Sequence, residues 1–147
     1  MTDMLQAVFS ATASSPPFQA VVTSTLDFEG TLARLKQGIE AADLWLIQEI
    51  DPQMLLRRGG YLIAPARQLL FFHPRYVVRL LAADPAAVVE IPLKLVVLQM
   101  PDGSVTVRHA DVRAQLDRYP GMHALADELA AISARLLASV APPIAPV

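Results

Sequence analysis

The chain has 147 residues, no cysteine and a formal net charge of −2. That is long enough for one domain with its own core and, at a pI of about 5.8, too acidic for a generic nucleic-acid binder. Composition excludes disulfides, thiolate metal sites and a thiol nucleophile. The hydrophobic fraction is 54%, yet no run of about 18 apolar residues exists that could span a bilayer. The surplus apolar surface therefore points to burial between two copies of the chain.

Residues 1–17 mix small residues with Ser14-Ser15-Pro16-Pro17, a composition that breaks regular structure, so they are expected to form a loose leader. The first basic residue is Arg34, so the charged start of a secretory signal is missing and a cytoplasmic protein is expected. A single domain is expected over 18–141. It opens on a strand within Phe18–Thr25, rich in β-branched residues. Asp27 then caps a helix whose apolar stripe is Phe28, Leu32, Leu35 and Ile39.

Leu44 to Ile50 is predicted as a second strand, stopped at Asp51-Pro52, with Asp51 capping a short helical turn over Gln53 to Arg57. Gly59-Gly60 marks a tight turn. A third strand runs from Arg67 to Phe72. Pro74 starts a helix with Val77, Val78 and Leu81 as its expected inner side, ended by Asp84-Pro85. Ile91 to Val107 reads as a β-hairpin turning at Asp102-Gly103 in a type I′ turn. Beyond Lys94 its first arm is apolar on both faces. Such a strand must be covered on both faces, by helices on one side and by something else, another subunit being one option, on the other. Asp111 caps a short helix with Val112, Leu116 and Tyr119 inward, broken at Pro120-Gly121. The last helix carries Met122, Leu125, Leu129, Ile132, Leu136 and Val140 at spacings of three or four. Residues 142–147 are expected to be a frayed tail.

The order of pieces is similar to a known family. Thr31-Leu32-Ala33-Arg34-Leu35-Lys36 on a helix, a strand ending in Glu49-Ile50-Asp51, Phe71-Phe72-His73-Pro74, Ala83-Asp84-Pro85, Ile91-Pro92-Leu93-Lys94 and Asp102-Gly103 resemble the domain-of-unknown-function 302 family. The resemblance implies a compact α+β domain of the TATA-binding-protein-like class, helices on one face of an antiparallel sheet of about five strands, commonly a homodimer. It implies no activity. The chain departs from the family pattern at Asp43, where a glycine is usual, at Pro52, where a histidine often follows the aspartate, and at Phe72-His73, which replaces Gly-Asn.

Functional candidates are few. His73 stands before Pro74 at a helix start and is read first as a cap; His109 and His123 are read as surface residues. Glu49 and Asp51 are two apart at a strand end, a spacing that suits an acid–base pair. Between Asp51 and Asp84 there is no acidic residue but Arg57, Arg58, Arg67, Arg75 and Arg79. That block supplies the expected ligand-binding set: Arg57, Arg58, Gly59, Gly60, Arg67, His73 and Asp51, forked donors beside a backbone able to cradle an anion. The competing expectation is a solvated face in which these arginines pair with Glu49, Asp51 or Glu90. The reading is a non-catalytic homodimeric module for a small anionic or amphipathic ligand, without metal, cofactor, nucleic acid or membrane. An enzyme using Glu49, Asp51 and His73, or a purely structural interaction protein, are the alternatives.

Overall fold

The computed structural model describes residues 3–143, so residues 144–147 of the tail expected over 142–147 lie outside the described residues. The chain runs β1 (Leu5–Gln6), β2 (Gln19–Thr23), α1 (Phe28–Ala41), β3 (Trp45–Ile50), α2 (Pro52–Arg58), β4 (Tyr61–Leu62), β5 (Ala66–Phe72), α3 (Pro74–Ala83), a 3₁₀ helix (Pro85–Glu90), β6 (Leu93–Gln99), β7 (Val105–Ala110), α4 (Val112–Leu116) and α5 (His123–Ala138). Five strands form one antiparallel sheet in the order β2-β7-β6-β5-β3, while β1 and β4 form a separate parallel pair.

Alternation along the strands decides which side is covered. Leu93, Leu95 and Val97 of β6 lie in register with Phe71, Leu69 and Arg67 of β5, and Val97 also with Val107 of β7. Leu69, Phe71, Leu95, Val97 and Val107 are fully buried and join one core with Leu35 and Ile39 of α1, Leu80 of α3, Leu116 of α4 and Leu129 of α5. On the other face Leu70, Val96 and Leu98 stay partly exposed and Lys94 is exposed. The sheet of the single chain is thus open on one side. Gly38 sets the spacing of the helical layer, since a Cβ there would stand 2.9 Å from Leu136 Cδ2 on α5.

Local chemistry accounts for the boundaries. Asp27 accepts from the Gly30 N–H at 2.7 Å, Asp51 from Met54 at 3.1 Å and Asp111 from Ala114 at 3.0 Å, each starting a helix. Asp43 takes the left-handed turn after α1 with φ 56°, and Arg75 holds it, donating to its carbonyl at 2.8 Å and its carboxylate at 3.1 Å.

Four expectations are corrected. The leader is tied down, because Leu5 and Ala7 N–H groups donate to Gly60 and Leu62 carbonyls at 2.9 and 2.8 Å. Only Gly103 has positive φ at the hairpin tip; its N–H donates to Met100 at 2.8 Å and Met100 donates to Ser104 at 2.7 Å. That is a longer loop with glycine at its left-handed position, not a type I′ turn. On α3 the buried residues are Tyr76 and Leu80, whereas Val78 is 67% exposed. Tyr76 takes the inward position by packing on Phe72, ring centroids 5.9 Å apart, which turns Val78 outward. His109, expected at the surface, is partly buried, as its place two residues beyond Val107 demands.

Candidate functional site

Three of the five arginines of the block, Arg67, Arg75 and Arg79, fold into ion pairs. Arg67 extends from the start of β5, its guanidinium 5.7 Å from the centre of the Phe28 ring. It donates to Asp51 at 2.9 Å, to Gln53 at 3.2 Å and to the Ala66 carbonyl at 2.7 Å. Glu49 lies 3.5 Å from the same guanidinium and also pairs with Lys36 of α1. Arg75 pairs with Asp43 and Arg79 with Glu128. Glu90 pairs instead with Arg118, at 2.8 Å. Arg57 and Arg58 are exposed and stand in no ion pair among the described residues.

Gly59 and Gly60 close α2. Their N–H groups donate to Leu56 at 2.9 Å and Arg57 at 3.0 Å, so neither points at an anion. His73 sits at the far end of β5, six residues from Arg67, about 20 Å along a strand. There its Nδ1 accepts from the Arg75 N–H at 3.1 Å and its ring packs on Trp45 with centroids 5.1 Å apart. His73 is a helix cap. The structure therefore brings Asp51 and Arg67 together beside α2, with Arg57, Arg58, Gly59 and Gly60 at that helix's other end, and leaves His73 apart. The same separation keeps His73 out of hydrogen-bond reach of Glu49 and Asp51.

A second region was not anticipated. Between α5, β2 and β7 lies a pocket of about 660 Å³ whose walls include Ala20, Val22, Val112, Ala130, Ala134 and Leu137, with His109 among them. β7 alternation carries His109 to the helical side after Val105 and Val107, and small side chains on α5 leave room over it. The His109 Nδ1 lies 2.6 Å from the Ala110 carbonyl oxygen. Its Nε2 is buried without a partner among the described residues. The signal was present in the sequence as a histidine in phase with two core valines. Among the described residues no group of three or more His, Asp or Glu could hold a metal, and no helix is long and apolar enough to cross a membrane.

An open five-stranded antiparallel sheet with helices on one face defines an α+β domain. The family model described as "Domain of unknown function DUF302" matches residues 20–140, and the chain belongs to that family. A solved structure, the "uncharacterized conserved protein DUF302 from Bacillus stearothermophilus", is similar to it with a TM-score of 0.78 and 18% identity, covering 85% of this chain and 99% of that one. At that identity the likeness shows the fold alone. No curated protein matches the chain.

Proposed function

We propose that the protein is a non-catalytic, homodimeric, cytoplasmic module that binds a small amphipathic ligand. The observation that carries the reading is the mostly aliphatic pocket of about 660 Å³ between α5 and the β2–β7 edge, with Gln19, His109 and Asp111 as the polar residues of its wall. Ligand sites are concave and mostly apolar, with few polar groups to orient the bound molecule. Pairing of two copies through the open sheet face is supported by the half-exposed Leu70, Val96 and Leu98 and by Trp45 and Ile47 on the rim, 57% and 54% exposed.

Titration with eight-carbon aliphatic compounds bearing different heads, followed by amide chemical shifts, tests the ligand. Shifts at Ala130, Ala134 and Leu137 are expected, and their absence with every compound would sink the reading. Light scattering should give twice 15.9 kDa; a single-chain mass at micromolar concentration would remove the homodimer.

A second reading places a small anion at Arg57 and Arg58, favoured because these two side chains have no ion pair among the described residues. A phosphate titration that moves no resonance of α2 excludes it.

A further inference from the structure

α2 and the β1–β4 pair stand at the end of the sheet where β3 finishes and β5 begins. No residue of α2 is buried, although Met54, Leu55 and Leu56 follow one another along it. Its inner side is held by the half-buried Leu56 and Gln53, the latter donating to the Ile63 carbonyl at 3.3 Å. The outer arc carries Met54, Leu55, Arg57 and Arg58, all exposed, at the spacings of three and four that make helix neighbours.

The apolar surface continues past the helix. The Tyr61 ring lies against the end of α2, where a Cβ on Gly59 would stand 3.7 Å from its Cδ2. Tyr61 is in register with Leu5 of β1, which sets the two side chains beside each other on one face of the pair. Met4, Leu5, Met54, Leu55 and Tyr61 are each between 42% and 62% exposed. Large apolar side chains gathered in this way, unlike scattered ones, mark an interaction surface.

The two arginines decide what covers it. Neither Arg57 nor Arg58 stands in an ion pair among the described residues, and Asp51, at the other end of α2, is taken by Arg67 at 2.9 Å. Asp3, exposed beside Met4, offsets one of the two charges at most. A lipid surface would gain about 1 kcal/mol from each arginine, a weak hold for a chain of net charge −2. A small anion would leave the apolar side chains uncovered. Met, Tyr and Arg are the residues enriched where proteins meet, and a guanidinium fork matches a carboxylate.

We propose that this surface docks an acidic amphipathic segment of a partner protein, a helix with carboxylates beside aliphatic side chains. The carboxylates pair with Arg57 and Arg58, and the aliphatic side chains lie on Met54, Leu55, Tyr61 and Leu5. The surface shares no residue with the pocket beneath α5, so the two readings stand or fall separately.

A synthetic helix of about five turns, built from leucine, alanine and glutamate and titrated into the isotope-labelled full chain, tests this. Amide resonances of Met54, Leu55, Arg58 and Tyr61 should move while those of Ala130 and Ala134 stay. Binding should weaken with added salt, fall at least about tenfold in the double variant Arg57→Glu, Arg58→Glu, and fall several-fold in Leu55→Ser. These positions are exposed, and an unchanged thermal midpoint checks that each variant folds. The same peptide with lysine in place of glutamate should leave α2 unmoved. Equal binding of the two peptides, indifference to the arginine reversal, or no movement at α2 overturns the inference. It is also overturned if inorganic phosphate moves these resonances while the peptide does not, which leaves the small-anion reading standing. Binding to anionic phospholipid vesicles in preference to the peptide overturns it as well, and makes the surface a membrane contact.

Discussion

Two polar regions lie on the helical side of the same sheet, and they differ in what their polar atoms touch. Beside α2, Arg67, Asp51, Glu49 and Lys36 satisfy one another, and the guanidinium has three acceptors besides Glu49. Beneath α5, His109 Nε2 and Ser133 Oγ meet no partner. A charged cluster that completes its own hydrogen bonds offers little to a ligand; a less charged region that leaves them open offers more. Charge density is therefore the poorer guide to a site here, and unspent hydrogen-bonding capacity the better one.

Substitutions can break that contrast. The largest effect is expected from Arg67→Ala, which leaves Asp51 and Glu49 facing each other without their shared cation in a half-buried position. A loss of about 2 kcal/mol, reduced from the fully buried case by partial exposure, should appear in urea unfolding. Unchanged stability would mean that the cluster is solvated and the contrast false. Next, Ala134→Trp adds bulk at an exposed position on the pocket wall. Stability should hold while octanol affinity falls at least about tenfold, equivalent to about 1.4 kcal/mol; undiminished affinity would place the ligand elsewhere.

Ser133→Ala sharpens the contrast from the other side. Removing an unpartnered buried hydroxyl should raise stability by about 1 kcal/mol, visible as a higher thermal midpoint. A loss instead would show that Ser133 is already satisfied. The smallest effect concerns Tyr119, whose hydroxyl donates to Glu90 and is thereby held above its ordinary value of 10.0, with burial as a lesser cause. A raised folded-state value favours the protonated phenol, so this contribution is complete below pH 10.0 and is lost as pH rises through the folded value. Tyr119→Phe should flatten that alkaline limb in a stability-against-pH series; an identical limb would detach Tyr119 from Glu90.

Much of the fold was legible because its causes are local. Asp27, Asp51 and Asp111 cap helices from their own sequence neighbourhoods, and His73 does the same beside Pro74. The features that escaped are non-local. Arg67 meets Glu49 only because β3 and β5 pair in a particular register. The leader pairs through backbone N–H groups, which leave no mark in the choice of side chain. The two residues of β1 are also too few to show a period. His109 was readable from its phase with Val105 and Val107. That it would lie uncovered under small residues of α5 depends on how α5 settles over the sheet, which spacing within either segment does not state.

The irregularity in β3 bears on how copies can assemble. Leu46 pairs with Phe71 and Gln48 with Leu70, leaving Ile47 without a counterpart. A strand from another molecule, approaching that outer edge, would find donors and acceptors in step on one side of Ile47 and out of step on the other. Growth by adding sheet to sheet is therefore halted after a few residues, although Trp45 and Ile47 make the rim attractive to apolar surface. This edge can thus stay apolar without offering a continuous template for an open-ended fibre.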